Sequence, residues 1–303
     1  MDDKTMKTVK YASLMVLTLV VINCVQAQET DLLKLVNEGK PRKEYVKNAF
    51  KSPRVIQNQS IEFLRPGTMD FRILHRFGQL DQGYKNFFGL DQASMRMGFD
   101  FGIKRNLMAG VGRSTYKKEL DGYIKYAPFL QSTGPASFPV TIAVVTGITM
   151  DGTSWADPAR KNYFTSRLAY YFQGIIGRKI SDALTLQVMP TLIHKNLVQM
   201  AGDGNDILAA GVGGRLRLSR RVALTCDYFH VFNPLTDNNY HDPLSVGVDI
   251  ETGGHVFQLH FTNSTGMNER AVITETTGRW GKGEIRFGFN LSRVFQLKKQ
   301  KVK

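Results

Sequence analysis

The feature that most constrains this chain is an alternation of apolar and polar side chains with a period of two, recurring in short runs from about Ser60 onward. In Met69-Asp70-Phe71-Arg72-Ile73 the odd positions are apolar and the even ones charged, and Met95-Arg96-Met97-Gly98-Phe99-Asp100-Phe101 repeats the scheme. The pattern returns in Leu184–Val188, Leu244–Glu251, Phe257–Phe261 and Ile285–Leu291. A period of two marks a strand with one greasy and one polar face. No long stretch carries the period of an amphipathic helix. With weaker runs of the same kind, twelve strands are predicted near 67–78, 92–103, 107–116, 121–131, 138–149, 162–178, 184–198, 206–218, 221–232, 243–251, 254–263 and 282–295.

The connections carry further information. Those at 104–106, 181–183, 219–220 and 252–254 read as tight turns, whereas 79–91, 150–161, 199–205, 233–242 and 263–281 are long. Alternating short and long connections are expected of an outer-membrane barrel, with short periplasmic turns and longer external loops. The connection at 132–138 is longer than its periplasmic side calls for. An even strand number returns both ends of the sheet to the periplasmic side.

Composition removes other classes. Two cysteines cannot staple a chain of 303 residues, and a chain with 19 Phe and 11 Tyr is not built for disorder. At the N-terminus, Lys4, Lys7 and Lys10 precede the apolar run Tyr11–Ile22 and then Val25-Gln26-Ala27. That order reads as a signal peptide over 1–27, cleaved after Ala27, because the run is shorter than the roughly 20 residues of a spanning helix. Asn23 stands where a small residue should precede a lipidated cysteine, which argues against lipidation at Cys24. Cleavage leaves Cys226 without an intramolecular partner. Residues 28–58 are expected to form a periplasmic lead-in or a plug, with a short helix around Leu32, Leu33, Leu35 and Val36. The barrel is expected over 59–296, and 297–303 form a basic tail.

Parity within the strands assigns faces. One face collects Arg72, Arg76, Arg96, Arg167, Arg215, Arg217 and Arg286 together with Asp70, Asp100, Asp227, Asp249, Glu251 and Glu284, and His260 falls on it too. A solvated sandwich exterior would favour Lys, whereas Arg suits bidentate pairing in confined space. The expectation is therefore a lumen of interlocked ion pairs. Gly98, Gly110, Gly112, Gly211 and Gly288 share this face and leave room for long side chains. The other face carries Phe71, Phe99, Phe101, Phe172, Phe257, Phe261, Phe287 and Phe289, as a lipid band requires. Pro190 interrupts a predicted strand, where a bulge is expected, and Arg293 falls on the apolar face near a chain end, within reach of headgroups.

The last strand ends in Phe295 and resembles the aromatic-ended closing strand recognised by barrel assembly machinery, except that Lys298, Lys299, Lys301 and Lys303 follow. Across nearly the whole mature chain, Phe50-Lys51-Ser52-Pro53-Arg54-Val55, His75-Arg76-Phe77-Gly78, Phe88-Gly89-Leu90-Asp91-Gln92-Ala93, Gly110-Val111-Gly112-Arg113-Ser114, Arg160-Lys161-Asn162-Tyr163 and Gly247–Leu259 resemble a bacterial family, a membrane-bound β-barrel domain of unknown function. The resemblance implies a barrel and a membrane location, and it brings no reaction or ligand.

A rim lipid hydrolase needs a nucleophile beside a base. None of His75, His194, His230, His241, His255 and His260 has a serine two positions away on its own strand face. Asp249, Glu251 and His260 flank one turn and could meet as metal ligands, but the luminal arginines favour an ion-pair network. The loop acids Asp203, Asp206, Asp237 and Asp242 read as turn formers rather than calcium ligands. Gly211-Val212-Gly213-Gly214-Arg215 lacks the Lys-Ser/Thr ending of a phosphate loop.

The sequence thus predicts a single closed, antiparallel, up-and-down transmembrane β-barrel of about twelve strands in the cell outer membrane. It is expected to be non-enzymatic and to need no cofactor, acting as a narrow channel or as a structural or assembly component of the envelope. The alternatives are a rim lipid hydrolase and a soluble exported β-sandwich binding module. Expected partners are outer-membrane lipid and the barrel assembly machinery. The formal charge of +14 points to anionic lipid rather than nucleic acid. Much of it lies outside the barrel, and the rest sits in turns such as Lys104, Arg105, Arg220 and Arg221.

Overall fold

The computed structural model describes residues 42–155, 157–198, 200–236 and 239–298. The predicted signal peptide with its cleavage after Ala27, most of the lead-in and the end of the basic tail lie outside the described residues. Twelve antiparallel strands close into one barrel. They are β1 (Thr68–Gln79), β2 (Ala93–Lys104), β3 (Leu107–Ser114), β4 (Leu120–Phe129), β5 (Thr141–Met150), β6 (Leu168–Lys179), β7 (Leu184–Lys195), β8 (Asp206–Arg217), β9 (Val222–Val231), β10 (Leu244–Thr252), β11 (His255–Thr262) and β12 (Arg286–Gln296). Each strand pairs with its neighbours in sequence, and β12 closes on β1 through pairs such as Arg293↔Phe71 and Leu291↔Ile73. Closure leaves no unpaired sheet edge, which a chain in hydrocarbon must avoid.

The strands fall where the alternation put them. The sixth begins only at Leu168, because Phe164–Arg167 form a 3-10 turn ahead of it. The long connection between β4 and β5 also has a physical cause: its Ser132–Thr133 pairs with Glu44–Tyr45 of the incoming chain as a two-residue ribbon. The bulge expected at Pro190 is absent. Pro190 stays in register opposite Ala210 of β8, and toward β6 the ladder skips it between Thr191 and Val188 without a shift. Gly174 stands opposite, with Pro190 Cγ 3.3 Å from where its Cβ would lie, so the missing side chain makes room for the ring. A shift occurs instead between Tyr126 and Phe129, around Pro128.

Burial follows the pleat. On β1, Asp70, Arg72, Leu74 and Arg76 are buried while Met69, Phe71 and Ile73 are half-buried, and on β7 Gln187, Met189 and Thr191 are buried while Leu186, Val188 and Leu192 are exposed. Large apolar side chains such as Phe172, Phe257, Phe261 and Val212 are thus displayed outward around a polar interior, the inverse of a water-soluble fold. Glycine lets long inward side chains lie flat on the wall. A Cβ on Gly147 would meet the Tyr171 ring at 2.2 Å, and one on Gly112 would meet the Arg96 guanidinium at the same distance.

The interior is filled from both ends. At the end where β1 begins and β12 finishes, the chain before β1 enters the lumen, and Phe50 and the residues from Val55 to Ser60 are buried there. At the opposite end the β11–β12 loop folds inward, with Ser264, Met267 and all of a short helix, α1 (Glu269–Thr274), buried.

Candidate functional site: the filled lumen

The inner segment turns back on itself inside the barrel. Val55 N donates to Asn58 O (2.8 Å), Ser60 N donates to Pro53 O (2.8 Å), and Arg54 bridges to Gln59, which makes a tight hairpin with its tip at Val55–Asn58. Such a tip presents backbone N–H groups with no partner of their own, and a buried donor left unpaired is costly. Asp227 on β9 supplies the acceptor. Its Oδ2 receives Ile56 N (3.4 Å), Gln57 N (2.9 Å) and Asn58 N (3.3 Å), so one carboxylate closes the turn.

Other strands hold the rest of the hairpin. Arg76 donates to Gln57 Oε1 (2.7 Å) and Asn290 Oδ1 (2.9 Å), Asn290 donates to Ile56 O (3.1 Å), and Gln258 donates to Val55 O (2.5 Å). On the far wall Gln187 accepts from Ile61 N (2.9 Å) and donates to Gln59 O (2.8 Å), and Lys125 Nζ reaches Glu62 O (2.6 Å). Arg215 donates to Ala49 O (3.2 Å), and Arg72 donates to Ser52 Oγ (2.9 Å). Side chains from β1, β4, β7, β8, β9, β11 and β12 therefore grip one segment around the barrel's circumference.

The loop from the other end is latched as firmly. Asn268 caps α1 by accepting from Ala271 N (2.9 Å). Arg270 binds Glu119, just ahead of β4, through Nε (3.0 Å) and Nη2 (2.5 Å), and binds Glu275 through Nη1 (2.5 Å). Lys117 Nζ adds a bond to Glu275 (2.8 Å). Burial by itself would raise the Glu275 pKa, but Arg270, then Lys117 and Lys195, hold it well below the usual carboxylate range. Burial likewise opposes the charge of Arg270, and Glu119 with Glu275 raise its pKa above the ordinary value. The two fillings meet at Glu269, whose Oε1 accepts from Arg54 Nη1 at 2.7 Å and from Gln59 Nε2 at 3.2 Å, with the Arg54 and Glu269 side chains almost fully buried.

Of the predicted luminal residues, Asp70 pairs with Arg72 (2.6 Å), and Asp100 lies 3.7 Å from Arg72 Nε. Arg76, Arg215 and Asp227 hold the inner segment as described. Asp249 accepts from Gln258 (2.6 Å) and Thr225 (3.3 Å), whereas Glu251 binds Lys51 near the end of the barrel. His260 is buried with neither ring nitrogen hydrogen-bonded, so Asp249, Glu251 and His260 do not converge. Among the described residues no group of three metal-ligating side chains comes together.

Four predicted positions are corrected. Arg167 precedes β6, so strand parity does not apply to it; it donates to the carbonyls of Asp151 (2.9 Å) and Thr153 and stacks 3.9 Å over Trp155 in a loop. Arg217 is the last residue of β8 and is exposed. Glu284 precedes β12 and pairs with Arg279 of its own loop. Arg286, at the first residue of β12 beside a register shift, is half-buried and donates to Phe77 O (3.2 Å).

Sequence reasoning missed the partner of Arg96, which is Asp121 on β4, bound through Nε (2.8 Å) and Nη2. It also missed Lys125, buried on the same strand, and Arg54 and Glu269 from the two fillings. Asp121 and Lys125 share a parity in Leu120–Phe129 that could have revealed them. Nothing in the strand pattern points to Arg54 or Glu269.

A closed sheet with an apolar exterior and a polar, filled interior defines a transmembrane β-barrel. The chain belongs to the family described as membrane bound beta barrel domain (DUF5777), whose model matches residues 50–295. No curated protein matches the chain. Among solved structures, an outer membrane channel from Pseudomonas putida F1 is similar at 11% identity, covering 78% of this chain and 98% of that one, with a TM-score of 0.49. The NanC porin is similar at 9% identity, covering 75% and 98%, with a TM-score of 0.46. The KdgM porin is similar at 8% identity, covering 75% and 99%, with a TM-score of 0.45.

Proposed function

We propose that this protein is a non-enzymatic outer-membrane barrel whose passage is closed by its own N-terminal segment and by the β11–β12 loop. It would conduct only when these are displaced. The observation that carries the reading is the hairpin at Val55–Asn58, held in mid-lumen by Asp227 and by side chains around the circumference. A wide water-filled pore has no use for such a grip, whereas a gate has. The short turns between β2 and β3, β8 and β9, and β10 and β11 face the periplasm in this reading, so the closing segment enters from that side.

The competing reading, a rim lipid hydrolase, would draw on the histidines at the long-loop rim. His230 Nδ1 bonds Asp242 (2.8 Å) and His194 Nδ1 bonds Asp206 (2.6 Å), yet no serine or threonine hydroxyl bonds either imidazole among the described residues. A hydrolase would need that third group.

Planar-bilayer recording tests the proposal. The full chain is expected to show no large, stable conductance, and removal of residues 28–62 combined with Arg270→Ala, which also releases the β11–β12 loop from Glu119 and Glu275, to produce discrete openings. Should that truncated chain fail to insert, Asp227→Ala with Arg270→Ala in the full chain is expected to give brief openings absent from the parent. Large stable conductance in the intact chain, or silence of every inserted variant, would overturn the reading.

A further inference from the structure

The outer surface carries one feature that the filled lumen does not explain. Register places Arg178 of β6 opposite Leu186 of β7, Leu186 opposite Gly214 of β8, and Gly214 opposite Cys226 of β9, which makes one lateral row of outward-facing residues. The next row toward the long-loop end is Ile176, Val188, Val212 and Tyr228. In the first row Gly214 has no side chain and Cys226 a small one, so the surface sinks between the walls of the second row and Leu186. The result is an open cavity of about 360 Å³ whose lining includes Ile176, Leu186, Val188 and Val212.

Arg178 bounds this cavity on its β6 side, one residue before the end of that strand, and the exposed Leu216 and Leu224 form the next row toward the short turns. Arg178 is exposed, faces outward, and has no ion-pair partner among the described residues. Ile180 and Leu184 flank it on the side of the turn, and Ile180 is itself exposed. A guanidinium between apolar side chains at the margin of a lipid band needs an anion at headgroup depth, and its planar fork matches a phosphate.

We propose that this groove is a phospholipid site: one acyl chain lies over Gly214 and Cys226, and the lipid phosphate pairs with Arg178. The lipid belongs to the leaflet at the short-turn end, the periplasmic one in the reading above. An anionic phospholipid is favoured, because Arg178 has no acid of the protein to share its charge with. The site stands on the outer surface and holds whether or not the lumen conducts.

Native mass spectrometry of the full chain in detergent, titrated with dioleoylphosphatidylglycerol, tests the site. Dioleoylglycerol supplies the chains without phosphate, and inorganic phosphate supplies the anion without chains. One phosphatidylglycerol is expected to be retained per chain, about tenfold more weakly in Arg178→Gln. Dioleoylglycerol is expected to bind weakly and with no response to that change. Gly214→Leu fills the groove from β8 and should reduce retention of both lipids. Its Cβ meets Leu186 Cδ2 at 3.2 Å, a flexible neighbour, and Cys226→Leu fills the groove from β9 should that variant fail to fold. Retention unaffected by these changes overturns the proposal. So does a loss confined to Arg178→Gln, which describes a bare surface cation, or lipid-free dimers, which describe a second copy seated in the groove.

Discussion

Asp227 shows how much one side chain can decide. Its single carboxylate accepts the N–H groups of Ile56, Gln57 and Asn58 at a depth where water does not compete. Asp227→Ala strands those donors, and buried unpaired donors cost on the order of 1–3 kcal/mol each when nothing rearranges. A loss of about 3 kcal/mol is expected after relaxation, read as a lower urea midpoint for conversion of the folded to the unfolded gel band; an unchanged midpoint would falsify the role given to Asp227. At this scale the sequence was informative about placement and silent about partners. Parity put Asp227 and Arg96 on the inner face, because side-chain direction in a strand is a local property. The partners of Arg96 and Asp227 lie on another strand and in the hairpin, and no local pattern names them.

The elements that close the barrel behave as two latches joined at Glu269. The Arg54–Glu269 bridge ties the inner hairpin to the first residue of α1. Arg54→Met leaves Glu269 buried without its countercharge, and losing one partner of a buried pair costs about 3 kcal/mol. Glu269→Gln combined with Arg54→Met is expected to recover part of that loss, so a double-mutant cycle should show a clear coupling energy. Strict additivity would mean that the Arg54–Glu269 bridge does not couple the two fillings. The outer latch should respond to acid. Glu275 has its pKa depressed by Arg270, Lys117 and Lys195, so its stabilisation is fully present above the usual value of 4.5 and is lost as the pH falls toward the lower folded-state value. Amide exchange in 264–276, corrected for the intrinsic pH dependence, is expected to be slow at pH 7 and to accelerate below about pH 4.5, and equal protection at both would remove Glu275 from the latch. A plug before β1 was among the expectations for residues 28–58, but the buried loop was not legible beforehand, because the strand pattern stops at Asn263 and resumes at β12.

At the scale of the whole molecule, a closed sheet with all its ladders satisfied and an apolar exterior should resist detergent until heated. Unboiled samples are expected to migrate as a compact band distinct from boiled ones, and to partition into the detergent phase. A single band with aqueous partition would instead describe the soluble sandwich. The sequence by itself determined the strands, their number and the two faces, since period-two patterning and turn chemistry act over a few residues. It also put Gly112 on the inner face, without saying that Arg96 lies against it. Pro190 shows the limit within one strand: the sequence called for a bulge, and only the glycine on the neighbouring strand made it unnecessary. The sequence left residues 28–58 as a lead-in or a plug, and tertiary structure decided between these and added the second filling. The hairpin at Val55–Asn58 and the helix at Glu269–Thr274 have no periodicity that sets them apart from surface loops. Their burial follows from closure, which brings side chains from distant strands around one axis and leaves the turn's backbone no acceptor except theirs.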